Sequence, residues 1–223
     1  MQNIPFYKAE AELRQLPHDS LRALSRKGRL VRFKANSQII TQGQTGQEVF
    51  VVLDGKLEAY IHSNGRKERR LTLAVLQPGD IFGEIGLDGG ERTASICTVS
   101  ASVCAMVHAH EVVKQRSKDP ALQELLTVTA NHRNRHNTLL MTQTIFSDIY
   151  TRMVDLLMGL SKPFHHPEYN HVPERITHQE IANRLGCSRE MVSRLLKDLE
   201  NGDYIKRHTD QTLLLKQPMP VAW

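Results

Sequence analysis

Cysteine is scarce in this sequence, and nothing pairs it. The three residues in 223, Cys97, Cys104 and Cys187, are an odd number without paired spacing. That excludes a disulfide framework and a thiolate set for zinc or an iron–sulfur cluster, and leaves buried or surface thiols of a reducing compartment. Long apolar runs are missing too. No run in the first half exceeds that of Val49–Leu53, far below the roughly 18 residues of a membrane span. Met1–Phe6 lacks the charged-then-apolar layout of a signal peptide, so no membrane and a cytoplasmic location are expected. Gly-x-Ser-x-Gly, a Walker loop and His-Glu-x-x-His are absent, and no enzyme is expected. The basic excess is also missing from the second half. Net charge is +5, yet Asp148–Trp223 holds ten Lys/Arg and ten Asp/Glu. Bulk charge therefore does not argue for a nucleic-acid partner, and local pattern has to.

What is present divides into three stretches. From about Leu30 to Ala109, short apolar runs (Val49–Leu53, Leu57–Ile61, Leu71–Leu76, Val103–Val107) are separated by turn signals at Asp54-Gly55, Asn64-Gly65, Pro78-Gly79-Asp80 and Asp88-Gly89-Gly90. Asn64-Gly65 is a hairpin signal, because both residues tolerate positive φ. This spacing predicts a small antiparallel barrel or jelly roll. From Pro120 to about Tyr150 no Gly or Pro interrupts the chain. Leu122, Leu125, Thr129, His132, His136, Leu139, Gln143 and Phe146 recur at 3-4 spacing, which predicts one long helix and a two-helix dimer contact. A further helix is expected at Met153–Leu160, then a His/Pro-rich loop from Lys162 to Pro173. Two more helices and a β-like tail (Tyr204–Arg207, Thr212–Leu215) complete a winged helix. The fold class is therefore α+β, with domains at 1–119, 120–147 and 148–223 and a hinge at Phe146–Asp148.

Two motifs carry chemistry. The first is Phe82-Gly83-Glu84-Ile85-Gly86-Leu87, followed by Glu91-Arg92-Thr93-Ala94. A guanidinium meets a phosphate with two parallel hydrogen bonds, a carboxylate accepts from a ribose hydroxyl, and a Gly-rich turn lets backbone N–H groups approach the phosphate. Arg92 acts on the ligand in this reading, and the fold does not depend on it. His108 and His110 share a strand face and read as a surface pair rather than haem ligands. Arg66-Lys67-Glu68-Arg69-Arg70 reads as a charged hairpin tip or as a partner for the extra phosphates of a cyclic dinucleotide. The histidines from His165 to His171 have no metal-ligand spacing.

The second motif begins with a capping box, Thr177-His178-Gln179-Glu180. Gly186 suits the left-handed end of that helix and Ser188 caps the next. Val192, Leu195, Leu196 and Leu199 face a core. Arg189, Glu190 and Arg194 are left on the outward, N-terminal part of the second helix, where recognition helices meet base edges. Arg can bond guanine through two donors and Glu can accept from the cytosine amine.

The first motif resembles the phosphate-binding cassette of the cyclic-nucleotide-binding fold. Together with Gly43-Gln44 and Val51–Gly55, and with the second motif, it resembles the cyclic-AMP receptor protein / fumarate-nitrate regulator family of bacterial transcription factors over about 200 residues. The resemblance implies a ligand-controlled, homodimeric regulator of double-stranded DNA that holds cyclic AMP, or else cyclic GMP or cyclic di-GMP, as an allosteric ligand and no covalent cofactor, with a nucleotide-independent DNA-binding regulator of the same fold as the alternative. It implies ribose contact by Glu84, phosphate contact by Arg92 and Thr93 with Gly83 and Ile85 beside them, and base contact by Asn137 and Thr138, with Arg133 also facing the ligand. The stretch from Glu84 to Arg92 is a residue or two shorter than is usual in the family. The resemblance further implies that Arg189, Glu190 and Arg194 read a TGTGA-type half-site. Thr177, Gln179, Ser188 and Lys197 then fall among the DNA-contacting positions. His178 stands where the family has a permanent cation, which makes backbone affinity lower or pH-dependent, and Met191 loses a hydroxyl. The loop around Phe164–His171 matches a surface that touches RNA polymerase.

Overall fold

Val49–Leu53 and Val103–Val107 are apolar without alternation because both faces of each strand are covered. In the computed structural model, which describes residues 2–4, 13, 15–63, 69–165, 168–208 and 210–220, these runs become β4 (Glu48–Asp54) and β9 (Ser102–His108). They pair antiparallel, with Val51 opposite Ala105. With β1 (Gln2–Ile4), β2 (Arg29–Phe33) and β7 (Ile81–Phe82) they form a sheet of order β1-β2-β9-β4-β7. A second sheet has the order β3-β8-β5-β6, from β3 (Gln38–Ile40), β5 (Leu57–His62), β6 (Arg70–Leu76) and β8 (Ser95–Thr98). Successive side chains of a strand point to opposite faces. Phe50 and Val52 accordingly join Val31, Leu57, Phe82 and Ile96 in a cluster drawn from both sheets. Val49, Val51 and Leu53 join a different cluster with residues of three helices. The expected jelly roll is what forms.

Those helices are α1 (Asp19–Ser25), α2 (Ala109–Arg116) and the long α3 (Pro120–Phe146). They supply Leu21, Leu24, Val112, Leu122 and Leu126 to the outer cluster. Leu122 is wholly buried, and Leu125 packs partly against the same core. The first members of the expected dimer seam are thus committed to the sheet of order β1-β2-β9-β4-β7. Farther along, Leu139, Met141, Ile145 and Phe146 are between 62% and 81% exposed in the single chain. His108 ends β9, and its ring nitrogen accepts from the His110 backbone N–H that opens α2. His110 is therefore helical, and the shared strand face expected for the two histidines does not exist.

The chain divides into two compact units, residues 1–61 with 72–135 and residues 62–71 with 136–223. The second contains α4 (Ile149–Leu160), β10 (Lys162–Pro163), β11 (Tyr169–Val172), α5 (His178–Leu185), α6 (Arg189–Asn201), β12 (Ile205–Arg207) and β13 (Leu213–Lys216). Met153, Leu157, Ile181, Val192, Leu199 and Leu215 are at its fully buried centre. α4 begins four residues earlier than Met153 because the Asp148 carboxylate accepts from the Thr151 N–H at 2.7 Å. This same bond holds the Asp148 carboxyl below the usual carboxylate range. The expected loop 162–173 contains two strands, in a sheet of order β10-β11-β13-β12. Pro163 is tolerated because β10 is an edge strand, where a missing N–H breaks no inner ladder.

The Asn64-Gly65 turn and residues 66–68 of the basic run lie outside the described residues, as do His166 and Pro167. Cys104 and Cys187 are buried, and burial pushes the Cys104 thiol up to about 12. Among the described residues no helix is long and apolar enough to cross a membrane.

Leu122→Ala should therefore destabilise the sensor by about 2–5 kcal/mol, the usual effect of truncating a buried leucine. A urea titration checks this as a lowered midpoint with an unchanged slope.

Candidate functional site

The cassette starts where β7 ends. Phe82 stacks on Phe50, with ring centroids 4.8 Å apart and planes within 5°, which fixes the strand end from which the turn departs. Gly83 has φ +82°, and a 3-10 turn over Glu84–Asp88 follows. The Gly89 N–H bonds the Gly86 carbonyl at 3.2 Å to close it, and Gly89 has φ +83°. A left-handed glycine at each end lets a segment shortened between Glu84 and Arg92 still turn back.

Arg92 does not lie open to solvent. Its side chain is 6% exposed. Nη1 donates to the Gly83 carbonyl at 2.6 Å and Nη2 to the Glu48 carbonyl at 2.8 Å, with a Glu48 carboxylate oxygen 3.7 Å away. Its backbone is also pinned: its N–H donates to Gln44 and its carbonyl accepts from Gly43. A Cβ added at Gly46, Gly83 or Gly86 would come within 2.8 to 2.9 Å of the guanidinium nitrogens. The glycines of the cassette make room for Arg92. This revises the expectation that the fold is independent of that arginine.

Glu84 is similarly engaged. Arg133, on α3, donates to Glu84 Oε1 and to the Ile81 carbonyl. The other carboxylate oxygen, Oε2, is buried and has no hydrogen-bond partner among the described residues. A buried acceptor left unpaired is uncommon and calls for an explanation. Thr93 is exposed, and Ile85 is 49% exposed. Asn137 and Thr138 are exposed residues about one turn beyond Arg133 on α3. Of the candidate ligand residues, the structure brings Gly83, Glu84, Arg92 and Arg133 together. Sequence reasoning missed Glu48 and Gly46, and their only signal was proximity to Gly43-Gln44.

In the second unit the capping box is complete. Thr177 Oγ1 accepts from the Glu180 N–H, while the Thr177 N–H and hydroxyl both bond the Glu180 carboxylate. Gly186 ends α5 at φ +64°, and Ser188 caps α6 by accepting from the Met191 N–H at 3.2 Å. Ile181, Ala182, Val192, Leu196 and Leu199 are buried. Arg189, Glu190, Arg194 and Lys197 are all exposed, so α6 presents the expected charged face. The Gln179 amide donates to Asn183 at 2.9 Å, and Arg194 lies against the Met191 sulfur at 3.4 Å. His178 differs from the rest. It is half-buried, with Nδ1 2.8 Å from Ser193 Oγ and Nε2 3.3 Å from Arg207 Nη2. Among the described residues no three His, Cys, Asp or Glu side chains form a metal-binding group.

Comparison with known proteins agrees with this geometry. A cyclic nucleotide-binding domain model matches residues 30–119, and a model of the bacterial regulatory proteins of the crp family matches residues 175–202. The chain belongs to the cyclic-AMP receptor protein / fumarate-nitrate regulator family. It is 28% identical over 184 residues to the cAMP-activated global transcriptional regulator CRP of Haemophilus influenzae, covering 80% of each chain. It is also 28% identical over 200 residues to the CRP-like cAMP-activated global transcriptional regulator of Mycobacterium tuberculosis, covering 87% and 88%. A solved structure of the c-di-GMP responsive global regulator CLP of Xanthomonas campestris superposes with a TM-score of 0.77 at 23% identity, covering 88% of this chain and 98% of that one. This is a ligand-responsive DNA-binding transcription regulator with a cyclic-nucleotide-binding domain.

Arg92→Leu should weaken the empty sensor as well as its ligand binding, because the Gly83 and Glu48 carbonyls each lose a buried donor. The expected loss of stability is about 1–3 kcal/mol. Urea denaturation without nucleotide reads it directly, and an unchanged midpoint would show that Arg92 has no structural role.

Proposed function

We propose that this regulator binds cyclic AMP in the cassette and, as a homodimer, reads an inverted-repeat DNA site with two TGTGA-type half-sites. The observation that carries the ligand reading is the unpaired, buried Oε2 of Glu84, beside an arginine and a left-handed glycine. A ribose hydroxyl supplies the donor that this oxygen lacks, and Arg133 holds the other oxygen so that the carboxylate stays in place. The cyclic phosphate competes for Arg92, with Thr93 and the backbone at Gly83 and Ile85 beside it. Asn137 and Thr138 contact the base. Arg189, Glu190 and Arg194 read base edges, while Gln179, Ser188 and Lys197 contact the DNA backbone. Thr177 contributes chiefly through its cap.

The exposed Leu139 and Phe146, seven residues apart and so on one face of the helix, support a second long helix as their cover, since exposed apolar side chains that share a helix face call for a partner. Control is a population shift. The ligand favours the DNA-binding arrangement by its differential affinity, with Phe146–Asp148 as the hinge. The surface around Phe164–His171 faces RNA polymerase.

A second reading takes cyclic di-GMP as the ligand. The fold likeness to the c-di-GMP responsive regulator CLP supports it. Thermal-shift titrations with cyclic AMP, cyclic GMP and cyclic di-GMP separate the readings, since a ligand of the native state raises apparent stability by mass action. The expected result is a rise with cyclic AMP that Glu84→Ala reduces.

Two further outcomes test the assembly and the readout. Leu139→Asp should shift the dimer toward monomer in sedimentation equilibrium at micromolar protein while leaving the monomer's circular dichroism intact, because that side chain is exposed in the monomer. Arg194→Ala should lower DNA affinity by about 1–3 kcal/mol and relax preference at one guanine of each half-site, read by selection from randomised half-sites.

A further inference from the structure

His178, Arg207 and Glu200 join three elements of the second unit. His178 opens α5, Glu200 closes α6 and Arg207 ends the wing strand β12. The Arg207 Nε forms an ion pair with a Glu200 carboxylate oxygen 3.2 Å away, and Nη2 lies 3.3 Å from His178 Nε2. Arginine is donor-only and always charged. His178 Nε2 must therefore accept, which leaves the proton on Nδ1, where it is donated to Ser193 Oγ at 2.8 Å. One neutral tautomer satisfies both contacts. The Arg207 side chain is 42% exposed, so a fork held at two points keeps its remaining N–H groups available. It opens on a cavity of about 400 Å³ lined by Arg175, Thr177, His178, Arg189, Arg207 and Gln211. Three permanent cations converge there. The Glu200 carboxylate is ion-paired with Arg207, and the Glu180 carboxylate is hydrogen-bonded to Thr177. A pre-aimed guanidinium in a cationic cavity beside a recognition helix suits a phosphodiester oxygen.

We propose that Arg207 is a backbone phosphate contact of the DNA complex and that His178 is the positioning residue that aims it. The inference rests on the DNA-binding reading above. It reverses the role that sequence alone gives His178. The imidazole is not a weaker substitute for a phosphate-binding cation. The cation comes from the wing, and the imidazole orients it. Protonation at Nε2 places an N–H against Arg207 and ends that contact. The groups facing His178 are Arg207 from β12, Arg189, Ser193 and Glu200 from α6, Arg175 from the preceding loop and Gln179 from its own helix. Burial, then the Arg207 and Arg189 charges, hold His178 below the usual histidine range, with Glu200 opposing. DNA affinity should therefore be kept at neutral pH and fall on acidification.

The test uses the full-length dimer with its selected inverted-repeat DNA across a salt series. Arg207→Gln should make the slope of log affinity against log salt shallower by about two, one phosphate per subunit, without changing base preference. Arg207→Lys, which keeps the charge, should retain most of the slope and shows that loss in Arg207→Gln is not misfolding. A wild-type slope in Arg207→Gln overturns the contact. Wild-type protein that binds no DNA overturns the DNA-binding reading together with it.

The positioning role is read from pH. Between about pH 7 and 4.5, a window extended below the ordinary histidine value because His178 is held beneath it, wild-type affinity should fall more than that of His178→Gln, whose amide oxygen accepts from Arg207 at every pH. Wild-type affinity that rises on acidification relative to His178→Gln would make His178 itself the phosphate ligand and overturn the assignment.

Discussion

A guanidinium cannot release its proton to escape burial, so a buried one obliges its surroundings to supply acceptors. Arg92, 6% exposed, obtains them from the carbonyls of Gly83 and Glu48. The guanidinium nitrogens, 2.8 to 2.9 Å from where a Cβ would stand, leave no room for side chains at Gly46, Gly83 and Gly86. The glycines at these three positions follow from that one group. Within the proposed reading the ligand-binding cation is also a structural cation. An anion that draws on Arg92 competes with carbonyls that already hold it, so ligand binding and a change in the cassette's hydrogen bonds are one event.

The long helix α3 carries two kinds of apolar residue, and the single 3-4 pattern of the sequence does not separate them. Leu122 and Leu126 complete the outer core of the sensor, whereas Leu139, Met141, Ile145 and Phe146 are exposed in the single chain. Arg133 sits between the two sets and reaches back to Glu84 and the Ile81 carbonyl. The first half of the helix is thus tied to the sensor by packing and by an ion pair at the cassette itself.

Much of the fold was legible because local rules dominated it. The strands at 49–53, 57–61, 71–76 and 103–107 and the two caps at Thr177 and Ser188 depend on residues within a few positions of one another. The cassette motif was legible for the same reason. What was not legible depended on distance. The Arg133–Glu84 pair spans 49 residues and the Arg207–His178 contact spans 29, and neither leaves a periodic trace. The strands β10 and β11 were hidden by His, Asn and Pro, whose local preference is for turns. They form because β13 offers a partner edge, with Val172 opposite Leu213. The burial of Arg92 was also invisible, since an arginine in a Gly-rich turn reads as solvent-facing.

The double duty of Arg92 constrains how a nucleotide can act as a switch. Moving a two-state equilibrium from 1:99 to 99:1 takes about 5.5 kcal/mol of differential affinity. A hydrogen bond to a charged group contributes about 1.5–3 kcal/mol, but at Arg92 only the difference between the phosphate and the two carbonyls counts. The bond to Glu84 Oε2 is not discounted in this way, because that oxygen has no partner among the described residues to give up. Within the proposed reading, phosphate and ribose together fall short of a full switch. The remainder has to come from contacts that exist in only one arrangement of the protein. Asn137 and Thr138 are suited to that, being exposed on the helix stretch that also carries the exposed apolar residues. Phosphate recognition then retains the ligand and base recognition decides whether it activates, so a change of base would alter the response more than it alters binding.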